Sequence, residues 1–451
     1  MSKVIKLKKG LNIPLQGKAE KELIEPGLSK NFAVRPDDFF GIRPKMMVRA
    51  DDQVKAGTPL FFDKYNPDVF FTSPVSGKIL AVNRGERRKI LEVVIRRDEE
   101  MAYEEFAKSD PLKLSREEIA GRLLQAGLWP LIKQRPYGII PKPGSKPRSI
   151  FVSGFDTAPL APDYSFIMQE TNAAEFQAGI NVLGRLTDGK VHLNVSADSP
   201  VPGIYANTSG VQLNYFSGPH PAGNPGVQIH YLDPIHKNGQ VWHIGPQDLL
   251  VIGRLFLNGK VDFSRIVALT GSEVLKPRYY RTMMGASVDN LLKENTREGN
   301  LRYISGNVLT GNRIPYNGFI GFFDSQITVI PEGAHHRFLG WADPGFDRFS
   351  ASRAFLSSLR PGRKYALDTN YNGGPRAYVI TGEYERVLPM DIIPQQLIKS
   401  IMVEDIDKME NLGIYEVIEE DLALCEYVCT SKTEVQSILR GGIELMIRET
   451  S

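Results

Sequence analysis

The amino-acid sequence predicts an α+β fold divided among several domains, and three observations carry that reading. At 451 residues the chain exceeds what one hydrophobic core serves, so three or four domains are expected. Its 30 prolines and 41 glycines interrupt it too often for long helices to dominate. The hydrophobic pattern also changes along the chain. Short strand-like runs fill the first hundred residues, strand–helix–strand alternation the middle, and helical segments the end.

Taken in order, Val54-x-x-Gly57-Thr58-Pro59-Leu60-Phe61-Phe62, Val69-Phe70-Phe71 and Ser73-Pro74-Val75-Ser76-Gly77-Lys78-Ile79 read as strands between turns, followed by a strand from Ile90 to Ile95. This layout resembles the barrel-sandwich fold of biotinyl and lipoyl domains. Lys64 lies near the hairpin of that pattern. Asp63-Lys64-Tyr65-Asn66 lacks the flanking residues that modifying enzymes read, so Lys64 is expected to be an ordinary exposed lysine. Charge rises from Asp98 to Pro111, as in a linker. Ser115-x-x-Glu118 is a capping box opening a helix that stops at Gly127. A Pro/Gly-rich loop, Tyr137 to Pro147, precedes a buried-type strand at Ser149 to Gly154.

Tyr164 to Leu186 reads as one long helix. Strands follow at Lys190 to Val195, Val211 to Phe216 and, shorter, Val227 to Tyr231, then a helix from Gln247 to Leu257. Strand, helix and strand at this spacing indicate parallel strands in an α/β layer. Phe263 to Gly271, the helix of Val288 to Glu294 and the strand Leu301 to Ile304 suggest a small β-grasp module. Pro394 to Met402 and Glu404 to Asn411 are the clearest helices of the last hundred residues. No internal repeat or low-complexity tract occurs.

Composition narrows the function. Net charge is +3, from 55 basic and 52 acidic residues, which gives no concentrated nucleic-acid surface. The local clusters Lys6/Lys8/Lys9, Arg87/Arg88/Lys89 and Lys142/Lys146/Arg148 read as solvated faces. Met1 to Gly10 lacks the apolar run of a signal peptide. The longest uncharged stretch, Ser199 to Leu232, is broken by Pro, Gly, Asn and His, so no membrane span is expected. The chain reads as soluble and cytoplasmic. Its only cysteines, Cys425 and Cys429, fit a reducing compartment and are expected to be buried packing thiols; two thiols cannot hold an iron–sulfur cluster. No phosphate loop, dinucleotide fingerprint or metal-ligand spacing is present. His335 and His336 are adjacent and point in different directions on any regular element, which fits surface or hydrogen-bonded residues.

The segments Arg265-Ile266-Val267-Ala268-Leu269-Thr270-Gly271, Met284-Gly285-Ala286 and Ile304 to Gly311 resemble the SLBB-type β-grasp domain found in the A-subunit family of sodium-translocating NADH:quinone oxidoreductases and in its relative in the Rnf electron-transport complex. His336-Arg337-Phe338-Leu339-Gly340-Trp341-x-x-Pro344-Gly345, Glu385 to Pro394, Glu419 to Cys429 and Lys9 to Gly17 resemble the A-subunit family as well. The resemblance implies four domains: a barrel-sandwich domain at 1–100, a Rossmann-like α/β domain at 101–259, an SLBB domain at 260–330 and a mainly helical domain at 331–451.

Relatives in Rnf and in the flavin subunit of respiratory complex I carry a Gly-Gly-Ala-Gly-Phe-Pro flavin loop. Here that place reads Ala126-Gly127-Leu128-Trp129-Pro130-Leu131-Ile132-Lys133, whose bulky side chains would keep the backbone from a phosphate. The Rnf cluster cysteines are absent too, and Cys429-Thr430-Ser431-Lys432 departs from the family's Cys-Pro-Gly-Lys. The resemblance therefore implies no NADH, flavin or iron–sulfur group on this chain, with FMN, riboflavin, FAD and iron–sulfur on partners. Those partners would be five further subunits, including membrane subunits and the one that oxidises NADH. It implies a peripheral subunit held by its partners on the cytoplasmic face of the inner membrane. Alternatives are a purely structural assembly subunit and a free-standing SLBB ligand-binding protein. A quinone headgroup beside the degenerate loop is a further expectation, with Trp129, Tyr137 and Phe155 on one wall, Phe39 and Phe40 on the other, and Arg135 as donor. The competing expectation is that these aromatics fill space between domains.

Overall fold

The computed structural model describes residues 4–27, 29–333, 340, 343–360 and 362–450. The adjacent histidines His335 and His336 lie outside the described residues.

The barrel is made by a four-stranded sheet, in the order Asn31–Val34, Ile90–Arg97, Gly77–Arg84 and Gln53–Val54, and a three-stranded sheet of Pro44–Met46, Pro59–Asp63 and Phe70–Thr72. Alternation places Phe71, Ile79, Val93 and Ile95 inside, and a register irregularity between Pro59 and Phe61 lets both Leu60 and Phe61 be buried. Lys64 is exposed in the hairpin after Pro59–Asp63, its backbone N–H bonded to Arg43 O at 2.8 Å.

The second sheet is the structural centre. Its order is Val4–Lys6, Gln212–Ser217, Val191–Ser196, Ile150–Ser153, Val241–Ile244 and Lys133–Arg135. All neighbours are parallel except the last, Lys133–Arg135 running antiparallel to Val241–Ile244. The four central strands thus stand in chain order third, second, first, fourth, the doubly wound arrangement. Consecutive residues face opposite ways: Ile150, Val152 and Trp242 enter one core, Phe151 and Val241 the other. The first core runs on through the barrel and the β-grasp domain. The second lies between the far face of the sheet and the C-terminal helices.

Helices Arg116–Gln125, Ala173–Leu186 and Pro246–Asn258 contribute to the first core. The Ser115 capping box forms as expected: Ser115 Oγ accepts from Glu118 N at 3.2 Å and Glu118 Oε2 from Ser115 N at 2.7 Å. The stretch expected as one helix from Tyr164 to Leu186 is two, Tyr164–Gln169 and Ala173–Leu186. The Asn172 side chain accepts from Ala174 N and starts the second helix, a local bond that competes with continuing the first. The strand expected at Val227 to Tyr231 is instead the helix Pro225–Leu232. Pro225 at its first position has φ preset for a helix, and Gln228 reaches the sheet beneath through Asn194 and Ser153.

The β-grasp sheet runs Asn312–Ile314, Leu301–Ser305, Gln326–Pro331, Ser264–Thr270, Arg278–Met283 and Leu23–Ile24. Its helix, Asp289–Leu292, is shorter than the expected Val288 to Glu294. The strands of residues 4–24 therefore serve as edges of the α/β and β-grasp sheets. Beyond residue 382 come helices Glu383–Val387, Pro394–Met402, Ile406–Asn411, Glu419–Val428 and Val435–Thr450. Cys425 and Cys429 are buried there as free thiols.

Candidate functional site

In a doubly wound sheet ligands bind outside the carboxyl ends of the strands where the order reverses, here between Ile150–Ser153 and Val241–Ile244. The chain's own side chains occupy that position. Asp156, three residues past the first strand, turns its carboxylate back onto Ala158 N at 2.8 Å, and burial raises its pKa. At the start of helix Pro246–Asn258, Gln247 Oε1 accepts from Ile266 N at 2.7 Å and its Nε2 donates to Ile266 O at 2.9 Å. Asp248 pairs with Arg265 at 2.6 Å. Burial raises the Asp248 pKa, and Arg265 and Lys133 pull against it. Tyr164 is pushed up to about 12, by burial first and by Asp156 next. A helix start that already carries its own carboxylate, and is bonded to a strand of the next domain, offers little to a phosphate.

The degenerate loop is packed shut. Trp129, Leu131 and Ile132 are buried. The Trp129 indole N–H donates to Pro141 O at 2.8 Å, and its ring meets Trp242 edge-on at 5.5 Å. Gly127, with φ +66°, has no room for a methyl, since a Cβ there would stand 2.3 Å from Thr72 Cγ2. The loop's last residue, Lys133, rests its ammonium 3.7 Å from the Phe323 ring centre. Burial lowers its pKa against the pull of Glu420, Asp248 and Asp324.

The six residues expected around a quinone ring do not share one pocket wall. Trp129 and Phe39 lie in the first core, Phe39 against Phe71 at 4.5 Å and Phe322 at 4.8 Å. Phe40, Tyr137 and Phe155 are half-buried against the second core. Of these, Phe40 and Tyr137 come together around Arg440. The Arg440 guanidinium stacks 3.5 Å over the Phe40 ring, donates to Tyr137 O at 3.2 Å and pairs with Glu419.

Arg135 is fully buried, binding Asp421 at 2.7 Å and Glu420 at 2.6 Å. Burial opposes its charge, but Asp421 and Glu420 outweigh it and its pKa rises. Gly226 makes room for this pair, because a Cβ there would meet Asp421 Oδ1. Arg135 is therefore a fully buried tie between the α/β sheet and the C-terminal helices.

One open cleft, about 450 Å³, lies between the α/β domain and those helices, lined among others by Ile235, His236, Lys237, Asp391, Glu410 and Tyr415. Lys237 bonds Glu410 at 2.7 Å and the Tyr415 hydroxyl donates to the same carboxylate at 2.5 Å. Both lower the Glu410 pKa. Behind it, His230 Nδ1 stands 2.7 Å from Glu416 and its Nε2 accepts from Asp391 N at 3.1 Å. The cleft escaped sequence reading because its lining comes from three segments, around residues 235–237, 391–393 and 410–416, with no motif spacing in any of them.

The fold and its filled crevice define a multidomain α+β protein assembled around a doubly wound sheet. Three family models match it: an NqrA N-terminal barrel-sandwich hybrid domain over residues 5–98, an NqrA second alpha/beta domain over 114–261 and an NQRA C-terminal domain over 266–315. The NqrA protein of Rhodopirellula baltica, the A-subunit of its Na(+)-translocating NADH-quinone reductase, is 42% identical over 99% of this chain and 98% of that one. Its counterpart in Yersinia pseudotuberculosis is 43% identical, over 97% and 98%. That of Klebsiella pneumoniae is 42% identical, over 99% and 100%. This chain belongs to the NqrA family, the A-subunits of the Na(+)-translocating NADH-quinone reductases. Among solved structures, an air-oxidized NAD+-reducing [NiFe]-hydrogenase aligns with a TM-score of 0.38 and 11% identity, over 77% of this chain and 67% of that one. No helix among the described residues is long and apolar enough to cross a membrane.

Proposed function

We propose that this chain is a peripheral scaffold subunit on the cytoplasmic face of the inner membrane, in a complex that couples NADH oxidation and quinone reduction to sodium export. FMN, riboflavin, FAD and iron–sulfur belong, in this reading, to the partner subunits. What supports it is the filled crevice: Asp156, Gln247, Asp248 and Arg265 bond one another or neighbouring backbone where a nucleotide would lie, and Trp129 fills the loop that would hold its phosphate. The test is to purify the chain alone and record its visible spectrum, which should be colourless. A stoichiometric flavin or iron–sulfur spectrum overturns the reading. In cells the chain should sediment with membranes and move to the soluble fraction when the membrane subunits are deleted.

A second reading, a contribution to the quinone-reducing half-reaction, is favoured by Phe40, Tyr137 and Phe155, three half-buried aromatic residues packed against the second core. Titrating a short-chain quinone into the parent chain and into folded Phe40→Ala and Phe155→Ala variants decides it. Unchanged affinity in both variants, or no binding to the parent, leaves the scaffold role alone.

A further inference from the structure

Between Asp343 and Tyr365 the chain makes an irregular excursion whose exposed side chains differ from the rest of the surface. Leu359 is 76% exposed, the most exposed large hydrophobic side chain among the described residues, and Phe346 and Leu356 are 56% and 47% exposed. Leu356 and Leu359 begin and end a single 3-10 turn, Leu356–Leu359. In a 3-10 helix residues three apart eclipse, so both leucines stand on one edge of the turn. Arg353, Arg360 and Lys364 are exposed in the same stretch of chain, and Arg363 is half-buried. Residues 353–364 contain four basic residues and no acidic one, and the nearest exposed carboxylate before them is Asp347.

The excursion is held from below, which argues against a chance exposure of loop side chains. Leu356 N donates to Pro344 O at 3.0 Å and Ser357 Oγ bonds Arg348 O. The Arg348 guanidinium lies 5.5 Å from the centre of the Phe355 ring, and a Cβ on Gly345 would strike that ring. Arg363 donates to Phe346 O at 2.6 Å and covers the Tyr365 ring at 5.5 Å. Tyr365 N donates to Pro14 O at 2.8 Å, which anchors the far end of the excursion to the N-terminal segment. The residues that point inward fix the turn, and the apolar residues it displays stay open to solvent among the described residues.

We infer that this turn is a contact for the surface of an anionic phospholipid bilayer. Exposed apolar side chains in a stretch whose residues 353–364 carry only basic charge suit a headgroup layer, where leucine and phenylalanine enter the acyl boundary and arginine and lysine meet phosphates. A stable protein interface asks instead for a broad patch of about 800 Å² per partner with charges sparse at its centre. Three apolar side chains and four cations give only weak binding by themselves. The contact therefore orients the chain against the bilayer while partner subunits retain it, a role that rests on the peripheral reading proposed above.

The test uses the full chain in vesicle co-sedimentation at low salt, with pure phosphatidylcholine and with phosphatidylcholine containing about one-third phosphatidylglycerol. The parent chain should sediment with the anionic vesicles only, and lose that binding as salt rises. Arg353→Gln, Arg360→Gln and Lys364→Gln should each weaken it about five-fold. A Leu356→Ser/Leu359→Ser variant should weaken it about ten-fold or more without changing circular dichroism, because both side chains already face solvent. Equal binding to both vesicles, no binding at low salt, or variants that bind like the parent overturns the inference. A parent that ignores vesicles, combined with leucine variants that drop out of the purified complex, overturns it in favour of a partner subunit.

Discussion

Replacing Arg135 by Met should destabilise the fold by about 3–5 kcal/mol, far more than the loss of a surface ion pair. The structure explains the size. Arg135 and Asp421 have no exposed side-chain surface, whereas Glu420 keeps about a third of its side chain open. Methionine fills the space of the stem but leaves the Asp421 carboxylate buried, with the Ile418 N–H at 3.0 Å as its remaining donor. Water can rescue Glu420 but cannot reach Asp421. An Asp421→Asn variant keeps an oxygen for Ile418 and removes the charge, so the Arg135→Met/Asp421→Asn double variant should recover about 1–3 kcal/mol of the summed single losses. Guanidinium unfolding followed by the fluorescence of buried Trp129 and Trp242 reads the sheet side of the tie. Limited proteolysis reads the C-terminal helices, which should be cut first in the Arg135→Met chain. A single-variant loss below about 1 kcal/mol, or strict additivity in the double variant, would refute the argument that this pair ties the sheet to the C-terminal helices.

Stability should also depend on acid through His192 and His220, whose burial lowers both pKa values to about 4 from the usual 6.5. Between those values the unfolded chain binds more protons than the folded one, so stability falls as pH drops from about 6.5 towards 4, by up to about 1.4 kcal/mol per pH unit for each histidine. A His192→Gln variant should show a shallower fall in denaturant midpoint over that range, and an unchanged slope would contradict this. Ser115→Ala should cost about 1 kcal/mol in chemical denaturation, since it frees the Glu118 N–H at the helix start. Gly127→Ala should cost about 2–4 kcal/mol, combining a left-handed backbone angle with the Thr72 methyl contact; a thermal midpoint equal to the parent's would show that the loop yields.

Features written in local chemistry were legible in the sequence. The barrel strands between Gly/Pro turns, the Ser115 capping box and the Pro394 helix each depend on residues within a few positions of one another. Features set by distant packing were not. Pro225 to Leu232 mixes Pro, Gly and branched residues in a strand-like order, and it becomes a helix because Gln228 and Val227 pack onto the sheet beneath. Nearness in sequence also misled about shared walls. Phe39, in extended backbone, and Phe40, in the turn that follows, are consecutive yet enter different cores. Trp129 and Tyr137, eight positions apart, end on opposite sides of the sheet, because the Lys133–Arg135 strand between them carries the chain past its edge. The Arg135–Asp421 tie had no local signature at all.

The strands Val4–Lys6 and Leu23–Ile24 carry a consequence for how the molecule is made. Val4 pairs with Tyr215 and Leu23 with Tyr279, so each of these strands needs a partner from a distant part of the chain. The barrel that follows has its own pairings close at hand and can close early. Until those distant partners are in place, residues 4–24 would present unpaired strand backbone, the kind of edge that invites wrong pairing. Docking of this segment completes one edge of each of two sheets, and because those pairings span long loops they should form after the barrel's local ones.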